Sequence, residues 1–273
     1  MKELTLEEIK EIELRNLCEF DAICKAHNFR YSLAGGTMLG AIRHKGFIPW
    51  DDDIDLMMPR PDYEKFIEYC KHNNTPFSML CAETNNEYKY LFAKLCDRNT
   101  VLVEDATGTE CGIYIDIFPI DGLGNTYEEA KCQLNQTRFK RELLVAANWK
   151  NFFRSKTRAW YIEPIRFAFF VLSRFCKPHR LINDIQKSLR KVDFEDCKYV
   201  GAVMGAYRER EIQKASIWNE LWDTEFENIK FSGVKDYDSY LSTLYGDYMK
   251  LPPKEKQVTH HSFKAYLKKF DGE

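Results

Sequence analysis

The hydrophobic positions of the first 120 residues switch repeatedly between a helical period and strict alternation. Thr5 and Glu8 form a capping-box pair, which predicts a first helix running to about residue 27. Phe29, Tyr31 and Leu33 then alternate and predict a short strand leading into Gly35-Gly36. Ile54, Leu56 and Met58 alternate again, Pro59 and Pro61 end that strand, and "DYEKFIEYCKHN" predicts the next helix. "FSMLC", "YKYLFAKLC", "TVLVE" and "GIYIDIF" predict further strands. This order implies an α/β (α+β) chain built on a mixed sheet.

After "DGLG" the pattern changes. Residues 126–195 read as helical, and the tail predicts a strand at "FENIKF", a helix at "DYDSYLSTLYGDYM" and a break at "LPP". The expected organisation is an α/β core over 1–125, a helical insertion over 126–198, and a C-terminal segment over 199–273. There is no internal repeat and no low-complexity segment.

Composition narrows the function. A net charge of −2 over 273 residues gives no footprint of a nucleic-acid binder. The nine cysteines include no C-x-x-C pair, which fits reduced thiols in the cytoplasm. The charged start "MKELTLEEIKEIE" is unlike a signal peptide, and no apolar run approaches the ~20 residues of a membrane span.

The chemistry concentrates in "GGTMLGAIRHKGFIPWDDDIDLMMP", where Asp51, Asp52, Asp53 and Asp55 crowd four carboxylates into five positions. Such a cluster needs solvent or a cation among it. A purely solvated loop is a poor fit, because Trp50, Ile54 and Leu56 favour burial. On a strand, Asp53 and Asp55 point the same way with Cα atoms about 7 Å apart, a spacing that suits shared metal ions. Asp116, set between Ile115 and Ile117, supplies a third carboxylate in an apolar run. It could orient an acceptor hydroxyl and take its proton. Asp121, beyond Pro119, reads as a turn residue with Gly122, and Asp52 has no assigned role.

An EF-hand loop is excluded, since Leu56 stands where its turn needs glycine. Gly35 and Gly36 let the backbone approach a phosphate, and amides at a helix start can bind it. Neither the dinucleotide fingerprint nor the P-loop pattern is present. Arg43 and Lys45 are placed to balance phosphate charge, while His44 reads as an ordinary loop residue. Oxygen ligands suit Mg²⁺ or Mn²⁺, and together these features suggest phosphoryl transfer.

Three segments carry a resemblance. "LAGGTMLGAIRHKGFIPWDDDIDLMMPRPDYEKF", "YIDIFPIDGL" and "YDSYLSTLYGDYMKLPPKEKQVTHH" resemble the signature of the LicD family and span residues 33–261. The resemblance implies a nucleotidyltransferase-like core with an added helical region. It implies transfer of phosphocholine from CDP-choline to a glycan hydroxyl, with release of CMP. Relatives in the fukutin group use CDP-ribitol. Carried to matching positions, Asp53 and Asp55 are the metal pair, Asp51 assists, and Asp116 is the third carboxylate. Gly35, Gly36 and Thr37 contact phosphate, with Arg43 and Lys45 as partners, and His260 or His261 reaches the donor. Spacing alone leaves CDP-choline, another CDP-alcohol and a nucleoside triphosphate open, and a non-catalytic glycan-binding protein is the reading of another class.

One more stretch stands out. "WKNFFRSKTRAWYIEPIRFAFFVLSRFCKPHR" carries eight Lys or Arg residues against one acid, Glu163. It is the candidate for peripheral contact with a membrane bearing a lipid-linked glycan. Trp50 and Tyr114 are candidates for holding a choline cation through cation–π attraction.

Overall fold

The computed structural model describes residues 2–104, 111–155, 159–257 and 263–268. Helix α1 (Leu6–His27) starts at the capping box read in the sequence, with the Thr5 hydroxyl and Glu8 carboxylate each accepting the other's backbone N–H. Such a cap is worth about 1 kcal/mol. Strand β1 (Ser32–Leu33) leads into α2 (Gly35–His44), then β2 (Asp55–Pro59) and α3 (Arg60–His72). Next come β3 (Phe77–Leu80), β4 (Ala93–Asp97), β5 (Thr100–Glu104) and the long β6 (Tyr114–Gly124).

Among the described residues five of these strands, in the order β1-β2-β6-β4-β3, build a mixed sheet that two strands from the tail bring to seven. Strand β2 runs parallel to β6, and the other pairings are antiparallel. One face is apolar: Ile54, Leu56, Met58, Ile115 and Ile117 are fully buried. Phe20 from α1 and Phe66 from α3 meet edge-to-face within the same core. A fully buried Phe contributes about 2–3 kcal/mol. The opposite face carries Asp55, Met57, Asp116 and Phe118 by strand alternation.

Four helices follow β6: α4 (Tyr127–Gln136), α5 (Arg138–Asn148), α6 (Glu163–Ser173) and α7 (Pro178–Leu189). Ala130, Leu134, Leu144, Ile182, Ile185 and Leu189 form a satellite core there, against Leu123 of β6. The tail returns to the sheet: β7 (Tyr199–Gly201) pairs with the second half of β6, and β8 (Ile212–Lys214) pairs with β7. A hairpin of β9 (Leu221–Phe226) and β10 (Ile229–Val234) follows, then α8 (Tyr237–Tyr245) and β11 (Phe263–Leu267), which pairs with β5.

The structure corrects four local expectations. "FENIKF" is not one strand. Glu227 and Asn228 both have positive φ and form a tight turn that pairs Phe226 with Ile229. "YKYLFAKLC" is a strand only from Ala93, because Tyr88, Tyr90, Phe92 and Phe118 instead form a run of ring contacts. Asp121 is no turn residue. Strand β6 continues through Pro119, and Asp121 is buried in it, held by both its oxygens on Arg60. Asp53 lies outside β2, which begins at Asp55, so strand alternation does not bring those two carboxylates together.

Candidate active site

The glycine turn sits where β1 enters α2. Gly35 opens the helix at φ +48°, a left-handed conformation that an L side chain adopts only with strain. Its N–H donates to the Tyr240 hydroxyl at 3.0 Å, which ties the turn to α8. The glycines also make room for acid. A Cβ on Gly36 would lie 2.6 Å from Asp51 Oδ2, and one on Gly35 would lie 3.2 Å from Asp55 Oδ2. The first helical amides lack partners within the helix and point to this same end.

Asp55 is anchored through its backbone. Its N–H donates to the Thr37 hydroxyl at 2.8 Å, and its carbonyl accepts from the Ala34 N–H at 2.9 Å. Parallel pairing sets Asp55 directly beside Asp116. Burial pushes the Asp55 carboxyl well above the usual carboxylate range, and the charges of Asp53, Asp116 and Asp51 push it further. Lys94 opposes them. Its ammonium donates to both Asp116 oxygens, at 2.9 and 3.2 Å, and lies 3.3 Å from the centre of the Tyr114 ring. Lys94 is itself nearly buried, so the pair is shielded from water.

Asp51, Asp52 and Asp53 bring one oxygen each within 4.8 Å of one another. Asp52 is buried. Glu13 of α1 lies near enough that Asp53 and Asp52 add to the burial that pushes its own carboxyl well up. This donor set is all oxygen and densely negative, which fits a hard divalent cation.

A cavity of about 750 Å³ opens over the site. Of the residues singled out in the sequence, Gly35, Gly36, Arg43, Asp51, Asp53 and Asp55 line it. Trp50 lines it too, meeting the His44 ring edge-on. Arg43 is steadied by donating to the Tyr248 carbonyl at 2.8 Å. Thr37 is buried behind the wall, its hydroxyl engaged by Asp55. Lys45 caps α2 at positive φ and is not among the described residues of the lining. Asp116 likewise stands beside Asp55 rather than in that lining. Lys94 already lies over one face of the Tyr114 ring, and Tyr114 is not among the described lining residues of the cavity. His260 and His261 lie outside the described residues.

Several lining residues escaped the sequence reading: Tyr207, Glu211, Trp218, Tyr240 and Tyr245. Tyr207 and Tyr245 meet edge-to-face at 5.1 Å. The tyrosine spacing of "YDSYLSTLYGDYM" was the available signal for two of them, but only the fold shows that α8 turns Tyr240 and Tyr245 toward Gly35.

Glu211 is buried against Gly205 and accepts from the Tyr207 N–H at 3.0 Å. Burial raises its carboxyl to about 7. A carboxyl raised on folding keeps its proton in the native state, so its contribution to stability falls as pH rises from about 4.5 through about 7. Glu211→Gln keeps the acceptor and removes the charge. It is expected to narrow the stability difference between pH 5 and pH 8 by up to about 3 kcal/mol, read from urea unfolding at each pH. An unchanged pH dependence would refute the assignment.

An acidic cluster at the entry to an inner strand beside a glycine-started helix, set in an α+β fold, defines a nucleotidyltransferase-like transferase. The family model described as "LicD/FKTN/FKRP, nucleotidyltransferase domain" matches residues 28–160. The chain is 34% identical to the lipopolysaccharide cholinephosphotransferase LicD of Haemophilus influenzae, over 98% of this chain and all of that protein. An uncharacterised protein of Rickettsia typhi is 35% identical over 63 residues, 23% of this chain and 20% of that one. The chain belongs to the LicD family and is an enzyme of the transferase class.

Proposed function

We propose that this chain transfers phosphocholine from CDP-choline to a hydroxyl of a cell-surface glycan of the lipopolysaccharide kind, or of its lipid-linked precursor, and releases CMP. One observation carries the reading. A single cavity holds the glycine turn, Asp51, Asp53 and Asp55, and an aromatic wall of Trp50, Phe92, Phe118, Tyr207 and Trp218. The acidic end suits metal and phosphate, and the aromatic wall suits a quaternary ammonium. The similarity to the H. influenzae enzyme along its whole length supports the same group transfer.

Asp53, Asp55 and Asp116, with Asp51 assisting, would hold Mg²⁺ or Mn²⁺. Such ions, when bound, polarise the phosphoryl oxygens and stabilise the departing phosphate charge. The chain's own groups do the rest. The amides of the α2 start and the Arg43 guanidinium bind the diphosphate. The acceptor oxygen forms a bond to the phosphorus bearing choline, the bond from that phosphorus to the CMP oxygen breaks, and Asp116 takes the hydroxyl proton. Lys94 orients Asp116 for this role. The reading places the chain in the cytoplasm, in peripheral contact with the inner face of the membrane.

A panel of CDP-alcohols and nucleoside triphosphates, with and without Mg²⁺, tests the proposal. The expected result is Mg²⁺-dependent CMP release from CDP-choline. Turnover of CDP-ribitol in its place would overturn the donor, pyrophosphate release from a triphosphate would overturn the reaction, and silence across the panel would favour a glycan-binding protein.

A further inference from the structure

Helix α6 is amphipathic the wrong way round for a soluble surface. Its inward side carries a charged pair: Arg166 is buried and donates to both oxygens of Glu163. The Arg166 guanidinium also lies over the rings of Trp149 and Phe153. The outward side is apolar. Ile165, Phe167 and Leu172 are exposed, and Trp160 and Phe175 at its two ends are each 84% exposed. A helix of a soluble domain places charge outward and apolar groups inward. Contiguous exposed apolar groups of this size mark an interaction surface.

The charge around this face selects the partner. Exposed Lys150 and Arg154 precede it in the chain, and exposed Lys177 and Arg180 follow. The one acid between residues 149 and 180, Glu163, is neutralised by Arg166. The face is therefore apolar with a cationic margin and no free negative charge of its own. Trp, Tyr and Phe at its ends are the side chains that settle at the level of lipid headgroups. Among the described residues no helix is long and apolar enough to cross a membrane, so contact through this helix would be interfacial.

A run of contacts joins the helix to the cavity. The end of α5, on which α6 packs, receives Lys89 at the Ala147 carbonyl, and Asn148 returns a bond to the Lys89 carbonyl. From there Tyr90, Phe92 and Phe118 form successive ring contacts, and the last two line the cavity.

We propose that the α6 face, from Trp160 to Phe175, docks on an anionic phospholipid surface and presents the cavity to a lipid-borne acceptor. The acceptor half of this statement rests on the function proposed above, and the docking half does not.

The test uses the full chain and extruded vesicles of phosphatidylcholine, with or without about one third phosphatidylglycerol. Sedimentation with the anionic vesicles should exceed that with neutral ones at least about ten-fold, and should weaken as salt screens the surface. The Trp160 emission should shift to the blue on binding. The double variant Trp160→Ser/Phe175→Ser should lose binding about ten-fold or more, and Lys150→Glu/Lys177→Glu should lose a similar factor. All four side chains are exposed, so the variants should keep the wild-type melting temperature. Failure to bind anionic vesicles, or full binding by either variant, would overturn the proposal. So would a dimer in sedimentation velocity that Trp160→Ser/Phe175→Ser dissolves, since a second copy would then cover the face. No donor is present in the vesicle assay, so its failure is distinct from failure of CMP release in the donor panel.

Discussion

Asp55→Asn is expected to lower CMP release from CDP-choline by about a thousand-fold or more while the chain stays folded. A thousand-fold corresponds to about 4 kcal/mol in the barrier, the scale of lost metal-assisted charge stabilisation. The fold should survive because the substitution removes a carboxylate from among Asp51, Asp53 and Asp116, whose charges oppose it. Its backbone bonds to Thr37 and Ala34 do not involve the carboxylate. Calorimetry separates the two effects. Mg²⁺ should raise the melting temperature of the wild type and have little effect on Asp55→Asn. Asp53→Asn should behave in the same direction. Near-normal turnover by either variant would show that the acidic cluster is not the metal centre.

Asp121→Ala should be the most destabilising of the changes considered, by about 3–5 kcal/mol. Arg60 lies in the core with 9% of its side chain exposed, and donates to both Asp121 oxygens at 2.7 and 2.8 Å. Removing the acid strands a buried guanidinium. For a chain of this size the melting temperature should fall by about 10 °C. Among the described residues Arg60 Nη1 has no hydrogen-bond partner. Replacing both partners by apolar groups, Arg60→Met/Asp121→Leu, should therefore recover most of the loss. A double variant as unstable as Asp121→Ala would mean that the pair does more than neutralise itself.

Arg60 and Asp121 also illustrate where a sequence reading stops. They are 61 positions apart, and nothing local in "PIDGLG" distinguishes a turn aspartate from a buried one. Only the continuation of β6 between β2 and β7 puts it inside. The turn at Glu227–Asn228 was missed for a related reason. "FENIKF" has strand composition on both sides of the turn, and a two-residue turn without glycine leaves little trace.

Local chemistry was enough for what depends on neighbours in the chain. The capping box of α1, the glycine entry to α2, the end of β2 at Pro59 and the concentration of acid at 51–55 all follow from short-range sterics and charge. The family resemblance rests on the same short segments. Tertiary structure alone decided which groups meet. Parallel pairing of β2 with β6 sets Asp116 beside Asp55, and β4 brings Lys94 to Asp116. Residues from β7 to α8 close the cavity with Glu211, Tyr240 and Tyr245, and α6 turns its apolar side outward. The physical reason is one of range. Propensity and capping act over three or four residues, whereas register and burial are settled by the packing of segments far apart in the chain.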